Sequence, residues 1–120
     1  MRLNKDRESK RCDYRKRFED YEFKVIDPEF DPDCDAIDVI LKTKDGDEYV
    51  GIFMTLKFME YMFDKNKRTG ECKNGTYLAF SDNPVILEKL TKENIKKAID
   101  ALIDELAIED HFKEVTNEKN

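Results

Sequence analysis

The residues best suited to chemistry lie in the acidic run DPEFDPDCDAID, which has six carboxylates and no basic residue. Asp31, Asp33 and Asp35 occupy the first, third and fifth positions of a calcium-binding EF-hand loop. The rest of that loop is missing, because position six requires Gly and is Ala36, and position twelve requires Glu and is Lys42. The spacing favours an acidic surface over a specific metal site, and it leaves open a looser divalent site on the three aspartates. No cofactor is expected.

The rest of the sequence gives little indication of a metal site or of a catalytic nucleophile. A zinc site needs about four Cys or His ligands, and the candidates Cys12, Cys34, Cys72 and His111 lie in separate regions. We therefore expect reduced thiols. His111, the only histidine, falls in a predicted polar tail, and no nucleophile elbow or Gly-rich phosphate loop is present.

Acid-base catalysis would need a carboxyl group in an apolar pocket, which raises its pKa. Only Asp38 and Glu60 have sequence contexts that could face the core, and an ordinary exposed acid is the better interpretation of each. The sequence thus predicts a protein that is not an enzyme. An enzyme that uses Asp38, Glu60 or Cys72 remains a second alternative.

The net charge of −6 hides an asymmetry. Residues 1–17 contain eight Lys or Arg and three acids, so the remainder carries −11. A basic arm could contact nucleic acid, because phosphate binding requires only clustered positive charge. The residues of this alternative are Lys10, Arg11, Arg15, Lys16 and Arg17.

Elements that would position these residues begin with a hairpin. Strands over 36–43 and 48–54 flank Asp45-Gly46, which predicts a two-residue turn with Lys44 opposite Asp47. This register makes one face apolar, through Ile37, Val39 and Leu41 on one strand and Val50, Ile52 and Met54 on the other. The other face is mixed, and the sequence leaves open a homodimer formed around Tyr49 and Phe53.

Further elements follow on both sides of the hairpin. Thr55 is a predicted N-cap for a Met-rich and aromatic helix that packs on the hairpin. Residues 76–80 and 85–88 predict a second hairpin. Thr91 caps a long helix, KENIKKAIDALIDELAIED, with one apolar stripe, and a further strand spans residues 21–26. The order predicts an α+β fold, a two-layer, mostly antiparallel sheet of four to five strands with two main helices on one face.

Length and composition are those of one domain of 120 residues. We predict a basic N-terminal arm over 1–20, either helical or flexible, a single α+β domain over 21–110, and a polar tail over 111–120. No apolar run is long enough for a membrane span or a signal peptide, so cytoplasmic residence and no membrane partner are expected.

Residues 37–106 resemble short uncharacterised bacterial proteins. The shared features are the hairpin DVILKTKDGDEYVGIFM, the Thr-Leu helix start, the TGEC-x-NG loop and the terminal helix LTKENIKKAIDALIDE. Small acidic proteins of this kind are similar to immunity proteins of bacterial toxin systems and to phage-encoded inhibitors of bacterial defence. The resemblance in size and charge implies an inhibitor, and the basic arm and the stretch DPEFDPDCD lie outside it.

What remains is binding. A concentrated acidic surface can attract a basic protein partner such as a nuclease or a defence effector, whose active cleft is positively charged. The leading hypothesis is therefore an inhibitor or immunity-type protein. Its predicted contact residues are the carboxylates of Asp31, Asp33, Asp35, Asp38, Asp45 and Asp47.

Overall fold

The computed structural model describes residues 5–115, which form a five-stranded sheet with helices against one face. The predicted α+β class is confirmed. In chain order the elements are α1 (Lys5–Arg17), β1 (Glu22–Val25), β2 (Ala36–Lys42), β3 (Glu48–Thr55), α2 (Leu56–Thr69), α3 (Glu71–Gly75), β4 (Val85–Leu87), α4 (Lys92–Asp104), α5 (Ile108–His111) and β5 (Phe112–Glu114). Strands β1, β2 and β3 pair antiparallel, and the far side of β3 pairs with β4 in parallel and with β5 antiparallel.

The hydrophobic core lies between the inner face of the sheet and the helices α1 and α4. Helix α4 contributes Ile95, Ile99 and Ile103, spaced four residues apart on one face as the sequence predicts. Thr91 accepts a hydrogen bond from the Asn94 amide, so its predicted N-cap role is also confirmed. The other buried core side chains are Tyr14, Phe18, Ile37, Val39, Leu41, Tyr49, Phe53, Leu90, Ile108 and Phe112.

The basic N-terminal segment is part of this core. It is helical in α1, and Tyr14 and Phe18 are only 9% and 1% exposed. Their rings lie 5.1 Å apart, and Phe18 continues the row to Tyr49 in β3 at 5.4 Å. Within the predicted arm, residues 5–17 adopt the helical form, and Tyr14 and Phe18 at its end pack against the sheet, whereas residues 1–4 lie outside the described residues. The two helices that pack on the core face of the sheet are thus α1 and α4. The sequence predicts α2 in the position that α1 occupies.

The first hairpin exists, but its predicted register is wrong by one residue. The observed turn is longer: the Gly46 amide donates to the Thr43 carbonyl, and the Thr43 amide donates to the Asp47 carbonyl. Gly46 has φ +97°, the left-handed residue that ends a three-residue hairpin loop. A shift of one residue reverses which face each side chain of β3 joins.

This reversal changes the inner face of β3. Tyr49, Gly51 and Phe53 are buried opposite Leu41, Val39 and Ile37, and the predicted inward residues Val50 and Ile52 lie on the outer face. The homodimer surface predicted around Tyr49 and Phe53 is therefore wrong, because both side chains belong to the core. The inward direction of the β2 residues is confirmed.

The predicted second hairpin is also wrong. Residues 76–80 are not a strand, and β4 pairs in parallel with β3. The intervening α2 returns the chain in the same direction, which is what parallel neighbours require. Helix α2 starts as predicted, with the Phe58 amide donating to Thr55 Oγ1, and ends at Gly70, φ +85°. Helix α2 contacts β3 of the hairpin, but none of its hydrophobic side chains joins the core cluster, so the predicted core packing of this helix is wrong.

The C-terminal part of the fold extends beyond its predicted limit. Helix α4 ends at Asp104, and Leu106 adopts φ +57° before the short α5 begins. Phe112 is 2% exposed and pairs with Gly51 as the first residue of β5. The predicted tail over 111–120 therefore starts too early, since residues 111–114 belong to α5 and β5. The tail residues 116–120 lie outside the described residues.

Candidate functional site

The acidic loop, residues 27–35 between β1 and β2, is ordered by its own carboxylates. Asp31 Oδ1 accepts a hydrogen bond from the Asp33 amide at 2.9 Å. Asp35 accepts from the Asp31 amide at 2.9 Å and from the Ala36 amide at 2.8 Å, one at each carboxylate oxygen. Short polar side chains that bond to nearby backbone amides stabilise turns. These bonds stabilise the conformation of the loop.

The acidic loop is also attached to the start of α2. The Asp35 amide donates to Thr55 Oγ1 at 3.3 Å, and the Thr55 amide donates to the Asp35 carbonyl at 3.1 Å. Thr55 is fully buried, whereas the next residue, Leu56, is 58% exposed. Thr55 thus holds two features together, the carboxylates of the loop and an exposed apolar side chain at the helix start.

Charge on the acidic loop is only slightly compensated. Lys89 Nζ lies 3.6 Å from Asp33 Oδ1, and both side chains are more than half exposed. Such a pair contributes little energy. Asp27 and Glu29 are exposed on the same loop and add two carboxylates that the predicted contact set omits. The sequence already showed that Asp27 and Glu29 lie in the same short connection as Asp31, Asp33 and Asp35, and this proximity could have added them to the contact set.

The six predicted contact residues do not form one surface. Asp31, Asp33 and Asp35 lie together at the start of β2. Asp45 and Asp47 lie at its other end, about 23 Å away for seven extended residues. Asp38 is exposed between them on the outer face of the sheet, opposite Ile52. The structure therefore brings together three of the six.

Three of the five predicted nucleic-acid-binding residues contact other parts of the protein. Arg11 donates to the Asp104 carbonyl at the end of α4, and Arg15 forms an ion pair with the Asp104 carboxylate at 3.3 Å. Arg17 binds Glu109 at 3.2 Å and the Tyr49 hydroxyl at 3.3 Å. Cations are favourable at the C-terminal end of a helix. The basic side of α1 thus contributes to holding the fold together.

The other two basic residues of that set, Lys10 and Lys16, make fewer contacts with the rest of the protein. Lys10 and Lys16 are exposed, and neither forms an ion pair with the described residues. Lys16 lines a shallow surface depression together with Arg11, Arg15 and Glu19. Two lysines are a small footprint for binding a phosphate backbone, which typically requires several contacts.

The candidate catalytic residues are not in apolar pockets. Asp38 and Glu60 are both exposed, as the preferred interpretation of each as an ordinary acid expects, and neither faces the core. Cys72 is half-buried in α3, a turn in which it adopts a left-handed φ of +52°. The three residues lie on different elements, namely β2, α2 and α3.

An open cleft of about 380 Å³ places His111 near Ser81, a neighbourhood that the sequence did not predict. His111 lies in α5 and not in a tail, and its Nδ1 is 2.9 Å from the Asn83 carbonyl oxygen. Asp38 and Asp110 also line this cleft. Within residues 5–115 there is no hydrogen bond between Ser81 and His111, so the nucleophile–base contact of a catalytic pair is not formed.

Among residues 5–115, no group of three or more Cys, His, Asp or Glu side chains is arranged to hold a metal ion, which includes the looser divalent site on Asp31, Asp33 and Asp35. Over the same residues, none of the helices combines the length and the apolar character required to cross a bilayer. Comparison of the chain with protein-family models, with curated proteins and with solved structures finds no match.

Proposed function

We propose that this protein is a small, acidic, non-enzymatic binding protein of the cytoplasm that neutralises a basic protein partner, as toxin-immunity proteins and phage anti-defence inhibitors do. The observation that carries the proposal is the pair of hydrogen bonds between Asp35 and Thr55. This contact makes the acidic loop and the exposed Leu56 neighbours. Protein interfaces combine an apolar centre with a polar rim, and these two features supply both.

Electrostatic attraction supports a basic partner. The chain carries −6 overall, and its acidic loop holds five carboxylates in nine residues. Clustered charge of one sign accelerates association with a partner of the opposite sign. A nuclease or another defence effector with a phosphate-binding cleft has the required positive charge.

Preorganisation of the acidic loop, together with its contact to the start of α2, supports binding through this loop. The backbone of the acidic loop is already held by Asp31 and Asp35, so little conformational entropy is lost when a partner docks. Asp45 and Asp47 flank an exposed hairpin turn at the opposite end of β2. The contact surface of the proposal is therefore narrowed to Asp31, Asp33 and Asp35 with Asp27 and Glu29.

The proposal is tested with a panel of nucleases and bacterial defence effectors, measuring binding and inhibition at low and at high salt. The test variant is Asp31→Asn with Asp33→Asn, in which the side-chain oxygen of residue 31 can still accept the hydrogen bond from the amide of residue 33. The matched control is Asp45→Asn with Asp47→Asn, which removes the same charge at the other end of the hairpin. The test variant should bind roughly two- to thirty-fold more weakly, because each lost charge pair contributes about 0.2–1 kcal/mol.

The control should bind as the unmodified protein does, and high salt should weaken binding of the unmodified protein. Equal loss in both variants would show that only the overall charge matters and would remove the acidic loop as the contact. A binding affinity that changes neither with salt nor with the loop substitutions would reject the electrostatic proposal. No binding to any basic effector in the panel would reject the inhibitor function itself.

A further inference from the structure

Strand β1 forms one edge of the sheet. In the described part of the chain it pairs with β2 alone, so one side of its backbone has no strand beside it. An open edge exposes amide and carbonyl groups that can pair with a further strand. The charges and backbone groups of β1 indicate which strand can pair with this edge.

The backbone groups that face outward are those of Phe23 and Val25. The Ile26 amide donates to the Asp38 carbonyl at 3.0 Å, which makes Ile26 and Asp38 a hydrogen-bonded pair of the antiparallel ladder. Such pairs alternate along the strands, so Lys24, opposite Ile40, also bonds to β2. Phe23 and Val25 therefore direct their amide and carbonyl groups away from the sheet.

The charges on β1 are arranged in a self-complementary pattern. Glu22 and Lys24 are both exposed on the outer face, and neither forms an ion pair within residues 5–115. If Phe23 of one copy pairs antiparallel with Phe23 of another, Glu22 of each copy lies opposite Lys24 of the other. This single arrangement provides two opposite-charge pairs, which stabilise neighbouring strands.

We propose that two copies of this chain associate through β1 in this register and form one continuous ten-stranded sheet. The arrangement is a two-fold interface, in which the same surface of each copy meets itself. Phe23 and Val25 supply the outward backbone groups for the new ladder. Shifting the register by two residues would place Lys24 opposite Lys24, so the charges also select the pairing.

Space beside the strand is compatible with this pairing. A cavity of about 470 Å³ adjoins β1, and its lining combines Phe23, Val25, Pro28 and Phe30 with the side chains of Lys24 and Lys92. In the proposed register, Tyr21 of the second copy lies opposite Val25, next to this cavity. The side chains of the added strand therefore have an apolar surface to cover.

The test is a charge exchange measured by analytical ultracentrifugation over a range of protein concentrations. Glu22→Lys alone and Lys24→Glu alone each replace two attractive pairs with two repulsive ones. Each should weaken the dimer at least about fivefold. The two single variants change the net charge in opposite directions, so a loss in both cannot arise from overall repulsion. The double variant restores opposite charges and should dimerise as the unmodified chain does.

A fourth variant tests the backbone. Val25→Pro removes an outward amide without removing a bond to β2, since proline is tolerated on an edge strand where its nitrogen faces solvent. It should be monomeric and still folded, with a melting temperature lowered only by the lost packing of Val25 and by the loss of the dimer. A monomeric parent chain at every concentration overturns the proposal and leaves the edge to a strand of another protein. A dimer that the two single variants and Val25→Pro leave unchanged also overturns it, because another face would then hold the copies together.

Discussion

The hydroxyl of Tyr14 donates a hydrogen bond to Glu109 at 2.7 Å, across a sequence separation of 95 residues. The same oxygen accepts a bond from the buried Ile108 amide at 2.8 Å. The Arg17 guanidinium lies 5.1 Å from the centre of the Tyr14 ring and also binds Glu109. One phenol thus connects the first helix with α5, and it explains why the basic helix is part of the fold.

Replacing Tyr14 with Phe should destabilise the protein by about 1–3 kcal/mol, because the buried Ile108 amide would lose its partner. Urea unfolding followed by circular dichroism measures the change in free energy of unfolding. Tyr61→Phe is the matched control, since Tyr61 is 49% exposed on α2, and it should stay within about 0.5 kcal/mol. Equal stability of both variants would show that the bond contributes nothing.

Stability should fall at alkaline pH. Burial raises the pKa of the Tyr14 phenol above its ordinary value of 10.0, and the hydrogen bond to Glu109 raises it further. Burial and then the bond to Asp100 raise the pKa of Tyr21 in the same direction. Unfolded phenols ionise near pH 10.0, whereas the folded ones keep their protons, so the unfolded state is favoured as the pH rises.

The contribution of these tyrosines is therefore complete below pH 10.0 and is lost as the pH rises towards the folded pKa values. Denaturant unfolding at a series of alkaline pH values should show this decline. The double variant Tyr14→Phe with Tyr21→Phe should show a shallower decline than the parent. An identical pH dependence in the two proteins would contradict the assignment.

Gly51→Ala should be costly although the change is small. A Cβ at Gly51 would lie 2.8 Å from a ring carbon of Phe112, which is 2% exposed and packs on Phe53. Forcing an added methyl group into a packed core costs about 1–3 kcal/mol. Phe112→Leu should make room for the methyl group, so the double variant should lose less stability than the two single variants combined. Strict additivity would mean that the two side chains do not meet.

Phe18→Ala should destabilise the domain by about 3–5 kcal/mol, because the ring is 1% exposed between Tyr14 and Tyr49. Thermal unfolding would measure the loss. Lys10→Gln with Lys16→Gln on the exposed side of α1 should change stability by no more than about 0.5 kcal/mol. This pair also tests nucleic-acid binding by filter assay without unfolding the protein, which deletion of residues 1–20 would not achieve.

Thr55→Val should cost about 1–2 kcal/mol, since valine has the same shape but cannot accept the hydrogen bond of the Phe58 amide at the start of α2. It also loses the bond from the Asp35 amide that attaches the acidic loop. Thr55→Ser keeps the hydroxyl and should retain most of the stability. Hydrogen exchange would locate the effect, with faster exchange expected at Phe58 and Asp35 in the Val variant alone.

Local patterns in the sequence predicted several elements correctly. The side chains of Thr55 and Thr91 cap their helices as expected, because capping depends on residues three positions away. The apolar stripe of α4 and the alternation of β2 also match the structure. Each of these features is set by neighbours along the chain.

The hairpin register required more than a local rule. Asp45-Gly46 fits a two-residue turn, yet Thr43 and Asp47 close a loop of three residues. A hairpin with Val50 and Ile52 inward also has an apolar face, so pattern alone did not separate the two registers. Burial of Tyr49 against Phe18, and of Gly51 against Phe112, separates them, and both contacts come from distant parts of the chain.

By itself, the sequence determined the fold class, the strand β1, the strands β2 and β3, and the helices that follow Thr55 and Thr91. It also determined the acidic character of the connection before β2. Tertiary structure alone decided that α1 replaces α2 on the sheet, that β4 runs parallel to β3, and that Asp45 lies apart from Asp31. The physical reason is that turn and cap preferences act over a few residues, whereas burial and strand pairing depend on segments far apart in sequence.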